Sequence, residues 1–244
     1  MTTPARTTDA ATVVRDRHRA AVRRRAIRWA VVVLVVLLAA GAVWAVWFSD
    51  WFVVRSVAVT GTAQVSADTV QEAAQVPIGA PLVSLDVAAI RERVLTVPVV
   101  ADATVARDLG GVVTIQVTER KAVYVMAQAG AYVLVDTTGV PYLTATSAKG
   151  LPVVSLRDTT SEAGKRLMAD AAVIAQALPK AVTARMTTLS ATTPDNFTID
   201  LKGGATIVWG SAEQSELKAQ VITGLLAVDA SVYDVSSPSH PATR

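Results

Sequence analysis

The sequence predicts an α+β protein: a single N-terminal transmembrane helix, then a β-α-α-β-β unit, then a larger mixed α+β unit. Three observations lead there. Trp29 to Phe48 (WAVVVLVVLLAAGAVWAVWF) carries no charge, and at ~1.5 Å rise per residue such a helix is about 30 Å long, the thickness of a bilayer's hydrocarbon core. Beyond it, apolar positions alternate with period two in some segments and recur at helical spacing in others. Clusters of Gly, Pro and Asp separate these segments at short intervals, as turns do.

Charge sets the predicted orientation. Residues 1–28 hold eight arginines against Asp9 and Asp16, a net +6, whereas the remainder holds 15 Lys+Arg against 18 Asp+Glu, a net −3. Arginine beside a first span marks the cytoplasmic side, so the N-terminus is expected inside the cell and residues 49–244 outside it. Arg23, Arg24, Arg25 and Arg28, with Trp29, Trp44, Trp47 and Trp51, are the expected membrane-interface residues, since basic and indole side chains favour the headgroup layer. A buried core helix would show a polar stripe, which this run lacks. Ala40-Gly41-Ala42 has the small-x-small form of a signal cleavage site, but the apolar run continues past it to Phe48 and the basic region before it is long for a signal. The basic arm abuts the apolar run, so the expected polyanion is anionic lipid and no nucleic-acid partner is expected.

The exported elements follow in order. Val57 and Val59 alternate in a first strand that Gly61 ends. Ser66 caps a helix to about Ala74, with Val70 and Ala73/Ala74 on one face. Pro77-Ile-Gly79-Ala-Pro81 is a loop. Asp86 opens a second helix with Val87, Ile90 and Val94 inward and Arg91, Glu92 and Arg93 outward, and Pro98 closes it. Ala103, Val105 and Arg107 share a face of the next strand, and Asp108-Leu-Gly110-Gly111 turns the chain into Val113, Ile115 and Val117. Past Arg120-Lys121, strands are predicted at Val123–Gln128, Tyr132–Val135 and Leu151–Leu156, with Asp136-Thr-Thr-Gly139 as a turn in which Asp136 bonds its own backbone and Val140-Pro-Tyr142 restarting the chain after it. A helix from about Ser161 to Leu178 buries Leu167, Ala171, Ile174 and Leu178, and Pro179 stops it. Arg185–Leu189, Phe197–Leu201 and Thr206–Trp209 read as a meander. A last helix from Glu213 to about Val228 places Leu217, Val221, Leu225 and Val228 on one face, and Ser231–Ser236 is the final strand before a frayed Pro238/Pro241 tail. The expected boundaries are 1–28 arm, 29–48 span, 52–121 first domain, 122–237 second domain and 238–244 tail.

No catalytic constellation emerges. The chain has no cysteine, which removes thiol nucleophiles, thiolate metal sites and disulfides together. His18 and His240 fall on opposite sides of the predicted membrane. Ser215-Glu-Leu-Lys218 fits the S-x-x-K nucleophile motif of penicillin-binding enzymes, which also need a downstream S-x-N and a later K-T-G-like strand. No asparagine follows Ser215 and Lys202-Gly203-Gly204 precedes it, so the motif reads as an exposed face of the last helix. Arg107, Glu119 and Arg120 are expected as a surface ion-pair cluster. The expectation is no enzyme, no cofactor, no metal and no small-molecule substrate.

The order of motifs resembles the bacterial cell-division FtsQ/DivIB family, in its actinobacterial form. Val54, Val57, Val59 and Gly61 fit V-x-x-V-x-V-x-G. Pro98, Val100, Ala103, Val105 and Arg107 fit P-x-V-x-x-A-x-V-x-R, and Val117, Glu119 and Arg120 fit V-x-E-R. Together these are similar to the family's POTRA domain. Leu134-Val-Asp-Thr-Thr-Gly139 and Leu151-Pro152 resemble elements of its C-terminal β-domain. Gly110 and Ala122 stand where that family commonly has proline, and the chain continues only briefly past Tyr233, where some relatives add a further strand. The resemblance implies a single-pass inner-membrane protein at the division septum that links early and late division proteins and helps regulate septal wall synthesis. Implied partners are FtsB- and FtsL-like proteins, with FtsW/FtsI-like and FtsK-like proteins behind them. The β-domain would capture a partner strand, and by position the expected residues are Ser231, Val232, Tyr233, Asp234, Val235 and Ser236, supported by Leu217 and Val221 of the preceding helix. The other reading of Ser231–Ser236 is simply the last paired strand of the sheet. The remaining alternatives are a POTRA-type adaptor of a secretion or envelope-assembly system and a tethered wall hydrolase.

Overall fold

A computed structural model describes residues 28–41, 44, 52–108, 110–128 and 130–244. Two sheets organise it. The first has three strands in the order β1-β3-β2, with β1 at Ser56–Thr60, β2 at Val100–Arg107 and β3 at Val112–Glu119. The second has nine, in the order β12-β11-β10-β9-β8-β7-β4-β5-β6. By compactness the chain forms two units. One holds the described part of Met1–Ala58 with Val76–Val87 and Ala106–Thr114; the other holds Val59–Gln75, Ala88–Val105 and Ile115–Arg244.

The predicted β-α-α-β-β order is present, so the first half is α+β as expected. Helix α1 (Ala67–Ala74) begins at Ser66, whose side chain accepts from Thr69 N, and it buries Val70 and Ala74. Helix α2 (Val87–Leu95) buries Ile90 and Val94. Val113, Ile115 and Val117 of β3 are buried at alternate positions, the period-two signature of one covered face. Arg93 corrects the outward expectation: its Nε donates to Ala74 O at 2.9 Å and so satisfies a carbonyl at the end of α1.

The second sheet carries strands β4 (Ala122–Gln128), β5 (Ala131–Asp136), β6 (Pro141–Ala145), β7 (Val153–Leu156), β8 (Met186–Ala191), β9 (Phe197–Leu201), β10 (Thr206–Gly210), β11 (Val232–Asp234) and β12 (Ala242–Thr243). Antiparallel hairpins extend it at β4-β5-β6 and β8-β9-β10. Parallel pairs join β4 to β7, β7 to β8 and β10 to β11. A parallel pair needs a crossover, and two helices supply crossovers: α3 (Glu162–Ala177) between β7 and β8, and α5 (Ser215–Leu225) between β10 and β11. A one-turn helix α4 (Lys180–Thr183) follows Pro179 where no element was expected.

Alternation sorts the second sheet's faces. Tyr124, Val135, Val154, Leu189, Phe197, Ile199, Ile207 and Trp209 build the main core with Leu167, Ala171, Ile174 and Leu178 of the α3 segment. All four predicted apolar positions of that helix are therefore buried. Val125 and Leu134, one residue out of phase, face the opposite side and pack with Val99 and Tyr142.

Residues 28–41 and 44 are helical, and their apolar side chains stand exposed all round, with Trp29 at 70% and Leu38 at 65%. Among the described residues no helix is long and apolar enough to cross a membrane. Residues 42–43 and 45–48 of the predicted span lie outside the described residues, as do Arg23, Arg24, Arg25, Trp47 and Trp51 of the expected interface set. Arg28, Trp29 and Trp44 are described and exposed.

Candidate partner-binding edge

The C-terminal end of the nine-stranded sheet is built from β10, α5, β11 and the tail. Strand β11 lies parallel to β10 in the register Thr206↔Val232, Ile207↔Tyr233 and Val208↔Asp234. The predicted apolar stripe fixes α5 only in part: Val221 and Leu225 pack against the main core, while its other two members face out. Leu217 and Val228 are 46% and 51% exposed, and Val221 and Leu225 are only half-buried. The inward positions are Ser215, Lys218 and Ile222. Ser215 Oγ donates to Ala212 O at 2.7 Å and accepts from the buried Trp209 Nε1 at 3.2 Å. Lys218 Nζ donates to Ser211 O at 2.7 Å, and burial pulls its ammonium below the ordinary lysine range, with the charge of Glu213 acting the other way. The S-x-x-K motif is therefore a buried brace, which corrects its reading as an exposed face. Two polar side chains sit inward because each finds a carbonyl of the 211–212 turn.

Tyr233 holds the return into β11. Its hydroxyl donates to Val228 O at 2.8 Å and accepts from Ala230 N at 3.3 Å. Val235 is buried and donates to Val208 O at 3.0 Å. Asp234 is half-buried and accepts from Ser236 N and Oγ, while Val232 is half-buried and Ser231 and Ser236 are exposed. The tail is not frayed. Arg244 and Val232 exchange both backbone hydrogen bonds at 3.0 Å, and Ser231 N and Oγ also donate to Arg244 O. Tyr233 lies opposite Thr243 and Asp234 opposite Ala242.

The expectation that Val232–Ser236 is the sheet edge is thus corrected: β11 is covered by β12, which ends the strand order. Alternate residues of an antiparallel strand bond inward. Arg244 bonds inward to Val232, so the N–H and C=O of Thr243 face away from β11.

The expected cluster of Arg107, Glu119 and Arg120 does not form. Arg107 is exposed. The Glu119 carboxylate accepts from Ala63 N (2.7 Å), Gln64 N (2.8 Å) and Val65 N (3.0 Å), which pins the loop before α1. Burial pushes the Glu119 pKa up, and these backbone bonds outweigh it and hold the group below the ordinary glutamate value. Arg120 donates through Nε to Pro98 O at 3.1 Å and pairs with Asp136 at 2.5 Å, the two side chains being 20% and 4% exposed. Asp136 also accepts from Val140 N, Thr138 N and Thr138 Oγ1. The predicted backbone-bonding role of Asp136 is present, with an arginine partner that sequence reasoning missed.

Nothing here assembles a nucleophile and base. The depression beside α5, about 540 Å³, is lined by Val173, Gln176, Ala177, Ala212, Gln214, Ser215 and Glu216. Among the described residues no group of His, Cys, Asp and Glu could hold a metal ion. His240 is exposed.

Comparison with known proteins gives two family matches. Residues 52–120 match the POTRA domain of FtsQ type, and residues 123–236 match the C-terminal domain of the cell division protein FtsQ/DivIB. The chain is 35% identical over 223 residues to the cell division protein FtsQ of Streptomyces collinus, covering 86% of this chain and 84% of that one. It is 33% identical to the Streptomyces coelicolor FtsQ over 86% and 85% of the two chains. To the Mycolicibacterium smegmatis FtsQ it is 30% identical, over 90% of this chain and 65% of the relative.

Proposed function

The chain belongs to the FtsQ/DivIB family of bacterial cell-division proteins, and we propose that it works as a membrane-anchored divisome scaffold. The family is non-catalytic. In this reading Trp29–Phe48 crosses the inner membrane with the arginine arm in the cytoplasm, 52–121 is the POTRA domain and 122–237 the β-domain, both outside. The support for an anchor is a helix whose apolar side chains stand exposed on all sides, an arrangement that water does not tolerate over such an area and lipid does. The scaffold sits at the septum and links early and late division proteins, FtsB- and FtsL-like chains being captured directly and FtsW/FtsI-like and FtsK-like ones gathered around them.

The observation that carries partner capture is the outward-facing backbone of Thr243 at the end of the nine-stranded sheet. An extended partner segment adds there by main-chain hydrogen bonds, and neighbouring side chains set specificity. Ser231, Val232, Tyr233, Asp234, Val235 and Ser236 then hold the docking strand in place, with Leu217 and Val221 on the flanking helix. Val235→Pro does not isolate this role, because its N–H already bonds Val208 within the sheet.

Thr243→Pro does isolate it. Proline is tolerated on an edge strand and here deletes only a donor that points out of the fold. Stability should change by no more than about 0.5 kcal/mol, while affinity for a purified FtsB-type periplasmic segment should fall about tenfold or more. Undiminished binding places capture elsewhere. At the cellular level a fluorescent fusion should form a mid-cell band; a uniform envelope signal would favour an adaptor of a transport or assembly system instead.

A further inference from the structure

The loop after α1 carries bare aliphatic side chains at an unusual place. Ala80 N donates to Pro77 O at 3.3 Å and Gly79 has φ +84°, so residues 77–80 form a tight turn with Ile78 at its corner. Such corners normally hold polar residues or Gly and Pro. Ile78 is instead 61% exposed, and Val83, in the short 3-10 helix Leu82–Ser84 that follows the turn, is 46% exposed. No charge occurs from Ala73 to Leu85.

The loop is tied to the first described residues beyond the apolar run. Gly79 N donates to Val54 O at 2.8 Å, Val54 N donates to Ala80 O at 2.9 Å, and Val53 bridges Pro81. Val54 is the sixth residue after Phe48, so at ~3.5 Å per residue the chain cannot carry the loop more than about 20 Å from the end of the span. The polar layer outside the hydrocarbon already takes up roughly 5–8 Å of that reach.

We propose that Ile78 and Val83 dip into the headgroup boundary of the bilayer that holds Trp29–Phe48, so that the 77–83 loop is a second, peripheral membrane contact. The proposal rests on the anchored reading above. The occupant is lipid because the tether holds the loop within about 20 Å of the end of the span whatever else is bound, and its charge-free aliphatic tips suit that boundary. The charged residues in the same compact unit past Val54 are Arg55 and Arg107 against Asp86 and Asp108, which balance. The contact should therefore be equally strong on zwitterionic and anionic membranes.

The absence of cysteine makes the test direct. Single variants Ile78→Cys, Val83→Cys, Thr144→Cys and Val36→Cys of the full chain are labelled with a small fluorophore. Each is reconstituted into phosphatidylcholine vesicles, with and without phosphatidylglycerol, containing lipid that bears a quencher just below the headgroup. Labels at 78 and 83 should be quenched several-fold more than the label at exposed Thr144 of β6, alike in both membranes. Quenching at 78 and 83 equal to that at 144, with strong quenching at 36, overturns the loop contact and leaves the anchor standing. No quenching at 36 removes the anchor and the loop contact together.

Discussion

Asp136→Asn should destabilise the protein by about 2–4 kcal/mol at neutral pH, because removing one partner of a buried ion pair leaves the other charged and poorly solvated. The stranded group is the Arg120 guanidinium, which is mostly buried and keeps only its bond to Pro98 O. The pH dependence gives an independent reading. Burial raises the Asp136 pKa, but the hydrogen bonds from Val140, Thr138 and Arg120 prevail and hold it below the ordinary aspartate value. The unfolded chain then binds the proton more tightly than the native one, so the contribution is complete above the unfolded pKa near 4 and is lost as pH falls through the depressed native value. Wild-type stability should drop on acidification below about pH 4–5, and Asp136→Asn should show a shallower acid limb. Glu119, also depressed in the native state, keeps some slope in the variant. A double-mutant cycle with Arg120→Met should return about 1–3 kcal/mol of coupling. Denaturant titrations from pH 3 to pH 7 decide the matter: an unchanged acid limb and negligible coupling would show that the pair contributes nothing.

The same residues show what the sequence made legible and what it hid. Elements whose side chains announce their period were read directly: Val113, Ile115 and Val117 in β3, Leu167, Ala171 and Ile174 in α3, and Phe197–Leu201 as a strand. Helix α5 is present but rotated from the face that hydropathy assigns it, since hydropathy gives Lys218 and Ser215 to water while the fold turns both inward onto the 211–212 carbonyls. Sheet order was invisible. The meander of β8-β9-β10 is local, but the insertion of β7 between β4 and β8 depends on two parallel pairings between segments far apart in sequence. The edge was misplaced for a related reason. Ala242 and Thr243 carry no periodicity and follow Pro238 and Pro241, so composition pointed to a loose tail, while backbone pairing with β11 decided otherwise. One signal for the Arg120–Asp136 pair was present: V-x-E-R and L-V-D-x-x-G each spend a charge inside an apolar strand end, which is costly unless the two charges meet.

Gly61→Ala should cost about 2–4 kcal/mol, close to the effect of a backbone rearrangement in a packed core. Gly61 has φ +85°, and a Cβ there would lie 2.1 Å from Val117 O. Two penalties add. A left-handed conformation costs an ordinary residue about 1–2 kcal/mol, and the clash with a strand carbonyl can be relieved only by moving β3 or the loop that Glu119 pins at residues 63–65. Gly79 separates the two terms. Its φ is +84°, yet a Cβ there would meet nothing within 4 Å, so Gly79→Ala should carry only the conformational part, about 1 kcal/mol. The difference between the two variants then measures the cost of the steric collision alone. Equal losses at both positions would mean that Val117 and the pinned loop yield freely. That outcome would contradict the close approach that makes glycine necessary at the end of β1.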